Sequence, residues 1–126
     1  MKGQGFHQRL RHAWDGLCAA WRLEKSVRTH ALATVAVFAM LVLTHAPASW
    51  WAIMALTIGL VVGTELLNTS IEALADHLHP ERHDGIKLTK DVAAGAVLIT
   101  SFSALVVGAA FLVDQVLPWL VTAFSP

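Results

Sequence analysis

From Ala31 to Gly63 the chain contains no Asp, Glu, Lys or Arg, and no other feature restricts its fold as severely. As one helix this run would be ~50 Å long, against a hydrocarbon core of ~30 Å, so it must be divided. Thr44-His45-Ala46-Pro47-Ala48-Ser49 marks the division, because Pro47 opposes helix continuation and its polar neighbours favour a turn. Two antiparallel spans follow, residues 31–46 and 49–75, the second opening on Trp50 and Trp51 as an interfacial belt. A single Pro-kinked helix is the weaker alternative. A third span is expected over residues 91–113, ending near Asp114, Pro118 and Trp119, with Ala93-Ala94-Gly95-Ala96 permitting close packing at its start. The chain is 56% apolar and only 14% charged, which agrees with an all-α membrane protein whose residues 1–126 form one domain.

Ahead of the spans, Phe6, Leu10, Trp14, Leu17 and Trp21 recur at helical spacing with Arg9, Arg11, His12, Asp15 and Arg22 between them. Residues 5–28 are therefore read as an amphipathic helix lying in the headgroup plane, although packing across membrane helices gives the same periodicity. The formal net charge of zero hides an asymmetry. Lys2, Arg9, Arg11, Arg22, Lys25 and Arg28 precede the first span, and Arg82, Lys87 and Lys90 lie between the second and third. The positive-inside rule then puts the N-terminus and a 77–90 loop in the cytoplasm, with the His45 turn and the C-terminus outside. No cleavable signal peptide is expected, since the first hydrophobic run begins only after about thirty residues. Cys18 is the sole cysteine, which excludes an intramolecular disulfide and Cys-rich zinc or redox motifs. No nucleic-acid partner is expected.

Glu65, Asn68, Glu72 and Asp76 are separated by three, four and four residues. On a helix they share a stripe roughly 80° wide, with Leu66, Leu67, Ile71 and Leu74 on the other side. Counting ~20 residues of helix inward from Trp50 puts the inner membrane boundary near Ser70. Glu72 falls at that boundary, Glu65 a turn or more deeper, and Asp76 in the cytoplasmic headgroup layer. Ionisable groups at such depth are costly and point to function. A carboxylate there can meet a lipid hydroxyl from one side and a water-soluble phosphate donor from the other. Lys90 and Asp91 begin the third span at the same depth. Lys90 could neutralise transferring phosphate oxygens, while Glu24 and the stripe carboxylates could hold magnesium, a hard cation that favours oxygen ligands and shared phosphates.

Three ordered blocks resemble the prokaryotic diacylglycerol kinase family, small integral membrane lipid kinases. They are Gly16-Leu17, Ala20-Trp21, Glu24 and Arg28; then Glu65-Leu66-Leu67-Asn68-Thr69-Ser70-Ile71-Glu72 with Asp76; then Lys90-Asp91 with Ala96-Val97-Leu98-Ile99. The resemblance runs from about residue 6 to residue 112. It implies ATP-dependent phosphorylation of a lipid alcohol, with diacylglycerol as the favoured acceptor, in the bacterial inner membrane. Under it Glu72 resembles the general base, and Glu24 and Glu72 the metal-associated carboxylates for Mg2+. Glu24, Glu72, Asp76, Lys90 and Asp91 resemble nucleotide-site residues; Glu65, Asn68 and Arg28 line the substrate site. It also implies a homotrimer with sites shared between subunits. The GxxxxGK[ST] phosphate loop and the protein-kinase motifs are absent.

Arg28-Thr29-His30 and the run from Asp91 to Leu98 look more like the branch that includes undecaprenol kinases, so undecaprenol is the alternative acceptor. From another class, the chain could be a non-enzymatic membrane scaffold or an ion-conducting bundle. Glu72 could also be a structural acid paired with Lys90 or Arg28, and Lys90 a snorkelling anchor. His77, His79 and His83 could supply nitrogen ligands to zinc, but with Pro80 and Gly85 around them they read as solvated residues of a flexible loop, whose partial protonation near neutral pH could instead favour anionic lipid or ATP.

Overall fold

The computed structural model describes residues 3–126 and contains no strand among them. Helix α1 spans Phe6–Leu23, α2 Lys25–Leu43, α3 Ala48–Leu78 and α4 Asp84–Phe111, which continues through a π-helical turn at Leu112–Val116 into α5, Leu117–Ala123. Three rods are long and apolar enough to cross a membrane: Lys25–Leu43, Ala48–Leu78 and the continuous Asp84–Ala123. The expected all-α architecture of an N-terminal helix followed by three spans is therefore present. The chain turns back where the uncharged run was expected to divide.

The boundaries differ from the sequence reading in three ways, each with a local cause. First, helix does not run unbroken from residue 5 to 28: Glu24 adopts an extended backbone (φ −114°, ψ 112°) between α1 and α2. Arg28 fastens this corner, its Nη1 donating to the carbonyls of Trp21 (2.7 Å) and Arg22 (3.2 Å) at the open end of α1. Second, the 77–90 loop contracts to His79–His83, because α3 runs on to Leu78 and α4 begins at Asp84. Third, the last span does not stop near Asp114. Pro118 lacks an amide hydrogen, and the wider π turn immediately before it carries the helix onward to Ala123.

The tight turn after α2 is a Schellman closure. Ala46 N–H donates to Leu41 C=O and His45 N–H to Val42 C=O, both at 3.1 Å, satisfying carbonyls that the helix end leaves open. This requires a left-handed residue, and His45 takes it with φ 53°. Beside this turn Leu41, Met54, Phe111 and Val116 form the buried core. Trp50 meets Phe111 edge to face at 5.2 Å, and Phe38 stacks on Trp51 at 5.7 Å. Asp114 Oδ2 accepts hydrogen bonds from Trp50 Nε1 and Gln115 Nε2, both at 2.8 Å. Away from this end the rods share little interior. On α4, Leu98, Ile99, Phe102 and Leu105 are each at least 68% exposed, a continuous apolar face that suits lipid and not water.

Candidate functional site

The opposite end of the bundle carries the polar residues. Helix α3 packs along α4, which brings the C-terminal turns of α3 beside the first turns of α4. Lys90 forms an ion pair with Asp76 across this contact, and Lys87 pairs with Asp91 one turn along α4. These groups border a cleft of about 360 Å³ whose lining includes Asp76, His79, Arg82, His83, Lys87, Lys90 and Asp91, within the size range of small-molecule sites.

Farther along α3, Glu65, Asn68 and Glu72 are half-buried. Asn68 Nδ2 donates to Glu72 Oε1 at 3.4 Å, a long contact. Glu65 Oε2 and Asn68 Oδ1 are both buried and, among the described residues, without a hydrogen-bond partner. Buried oxygens are normally satisfied, and one left open has a reason outside the isolated fold, such as a bound ion, water or ligand. Lys90 is engaged by Asp76 and Arg28 by the end of α1. Glu72 is therefore paired with neither, which removes the structural ion pairs considered for it. Glu24 is half-buried at the α1–α2 corner and makes no side-chain capping bond.

The sequence-selected residues thus separate into groups. Asp76, Lys90 and Asp91 meet at the cleft, and Glu65, Asn68 and Glu72 lie along one helix leading to it. Arg28 and Glu24 hold the corner between α1 and α2. Lys87, Arg82 and His83 also line the cleft; sequence reasoning assigned Lys87 and Arg82 no part in the nucleotide site, and His83 only a charge that could attract ATP or anionic lipid. The Lys87 signal was available, since a base four residues before Asp91 is a helical ion-pair spacing.

Among the described residues no group of three or more His, Cys, Asp or Glu side chains could hold a metal. The His77, His79 and His83 zinc site is therefore not formed: His77 is exposed in the last turn of α3, and His79 and His83 face each other at 5.0 Å. Magnesium is a different case. It is commonly bound through one or two carboxylates together with substrate phosphates, without an all-protein cage. The unpaired carboxylates of Glu72 and Glu24 fit that donor chemistry.

Residues 11–112 match the model of the family described as prokaryotic diacylglycerol kinase. This chain belongs to that family. The matched segment includes Glu24, the whole α3 stripe and Lys90-Asp91. The chain is 38% identical over 113 residues to a diacylglycerol kinase of Synechocystis sp., covering 89% of this chain and 65% of that one. It thus spans about two thirds of that relative's length. It is 34% identical over 103 residues to an undecaprenol kinase of Bacillus subtilis, with 82% and 84% covered, and 30% identical over 95 residues to a diacylglycerol kinase of Escherichia coli, with 75% and 78% covered. With its three apolar rods, this member of the family is a multi-pass membrane protein.

Proposed function

We propose that the chain is a lipid kinase that transfers the γ-phosphoryl group of ATP to the hydroxyl of 1,2-diacylglycerol, giving phosphatidic acid. Family membership supports the enzyme class. The observation that carries the site is the pair of half-buried carboxylates, Glu65 and Glu72, on one face of α3 below a cleft lined by Lys90, with no Lys or Arg among the described residues paired to either.

The resemblance assigned Glu72 both proton acceptance and metal binding. These roles conflict, because a bound divalent cation withdraws charge from its carboxylate and weakens it as a base. We therefore divide them. Glu65 lies two turns farther from the cleft than Glu72, where a lipid hydroxyl would enter, and its Oε2 is free to accept a proton. Glu72, nearer the cleft, and Glu24 would hold Mg2+, which when bound neutralises phosphate charge. Glu65 takes the hydroxyl proton, the lipid oxygen bonds to the γ-phosphorus, and the bond to the β-phosphate oxygen breaks to release ADP. Asn68, with one amide oxygen unsatisfied, orients the acceptor hydroxyl or an attendant water. Lys90 leaves Asp76 to meet the transferred phosphate, and Asp91 keeps Lys87 at the cleft.

In this reading the cleft faces the cytoplasm and the His45 turn faces outward, with α1 on the inner membrane surface. A homotrimer with sites shared between subunits would cover the exposed faces of α3 and bring Glu24 of one copy to Glu72 of another. Undecaprenol is the second acceptor to test, favoured by the Bacillus subtilis relative. Purified protein in mixed micelles, given radiolabelled ATP and each lipid separately, should label diacylglycerol faster. Faster labelling of the polyprenol would reassign the substrate, and labelling of neither would remove the enzyme reading. Lys90→Ala should raise the KM for ATP with topology intact; unchanged ATP kinetics would reduce Lys90 to a helix anchor.

A further inference from the structure

One side chain of the cleft also fastens the start of a helix. His83 is the N-cap of α4, and its Nδ1 accepts a hydrogen bond from the Gly85 amide at 3.0 Å. An acceptor nitrogen carries no proton, so this cap exists only with a neutral imidazole. The fit around it is close. A Cβ on Gly85 would stand 3.1 Å from His83 Cε1 and 3.2 Å from Nδ1, so glycine is what lets the ring lie over this amide. The His83 carbonyl also accepts the Lys87 amide at 2.9 Å, which ties the cap directly to the turn bearing Lys87 and leading to Lys90.

We propose that His83 is a proton-sensitive positioning residue: neutral, it fastens the first turn of α4 and sets the cleft lysines for the nucleotide; protonated, it releases that turn. Histidine is the side chain type whose charge changes most readily between pH 5 and 8. Protonation acts twice in the same direction here, by removing the acceptor and by bringing a cation to a helix N-terminus, where the backbone dipole disfavours it. The surroundings are of mixed sign. The ring faces His79, which caps the end of α3; Asp76 of α3 lines the same cleft, and the intervening loop contributes Glu81 and Arg82. From α4 come Asp84, Lys87, Lys90 and Asp91, the last three already joined in ion pairs.

This inference rests on the reading of the cleft as the nucleotide site, so its test has one arm that needs no turnover. The full-length protein in micelles is compared with His83→Asn, which caps a helix at any pH in this range, and with His83→Ala, which caps at none. In the first arm, the hydrogen-exchange protection factor of the Gly85 amide should fall about five-fold from pH 8 to pH 6 in the native protein. It should stay level in the Asn variant and be low throughout in the Ala variant. In the second arm, the KM for MgATP should rise severalfold over the same interval in the native protein and appreciably less in the Asn variant. Protonation of ATP itself is common to both proteins and cancels. Equal loss of Gly85 protection in the native and Asn proteins overturns the cap. A pH-dependent cap combined with identical KM profiles overturns its link to the nucleotide, and absence of any kinase activity with a pH-dependent cap faults only the assignment of the cleft.

Discussion

The two ends of this helical bundle are built on opposite rules. At the His45 end, apolar side chains interlock and the polar groups are spoken for: Leu41, Met54, Phe111 and Val116 are buried, and Asp114 holds Trp50 and Gln115. Along the half of α3 that leads to the loop end, Glu65 Oε2 and Asn68 Oδ1 are buried without a hydrogen-bond partner among the described residues. The ion pairs of the loop end, Lys90 with Asp76 and Lys87 with Asp91, are exposed and therefore contribute little to stability. One end holds the rods in register; the other keeps groups available for something that is not part of the fold. If the proposed site is right, stability and reactivity are separated along the bundle, as expected where unsatisfied groups mark function.

Substitutions at the two ends should therefore fail in different ways. The largest effect is expected from Glu65→Gln, which should lower kcat by about a hundred-fold to ten-thousand-fold, as loss of a general base does, while thermal unfolding stays put. Glu72→Gln should instead raise the magnesium concentration needed for half-maximal rate; if both variants respond alike to magnesium, the division of roles between them is wrong. Phe111→Ala should reverse the pattern by costing about 3 kcal/mol of stability, seen as a lower midpoint of thermal unfolding, with turnover below that temperature nearly unchanged. Loss of activity at temperatures where that variant is folded would mean that the two ends are coupled.

Two smaller effects test the packed end alone. Asp114→Ala removes the acceptor shared by Trp50 and Gln115 and should lower the midpoint of thermal unfolding slightly, less than Phe111→Ala does, because solvent screens these exposed hydrogen bonds. His45→Gly relieves a left-handed residue at the closure of α2 and should stabilise by about 1 kcal/mol. A drop in unfolding midpoint for that variant would show that the His45 side chain makes a contribution larger than its backbone strain.

Much of this architecture is legible in the linear chain because membrane-spanning helices declare themselves by length and apolarity, and each satisfies its own backbone. The uncharged run from Ala31 to Gly63, broken at Pro47, predicts two helices and the turn between them; the spacing of Glu65, Asn68, Glu72 and Asp76 predicts one polar stripe. Local chemistry that depends on a single hydrogen bond is harder to read. The π turn that carries the last rod past Asp114, the His83 cap that starts α4 early, and the Arg28 clamp at the α1–α2 corner lie beyond what periodicity reveals.

By itself, then, the sequence determined how many rods there are, where the chain reverses, and which face of α3 is polar, since these follow from hydrophobicity and helical period. Only the tertiary structure decided which charges cancel and which remain. Asp76 takes Lys90, Arg28 turns to backbone carbonyls, and Glu65 and Glu72 are left without a cation among the described residues. Pairing depends on distances between helices, and no pattern within one helix contains that information.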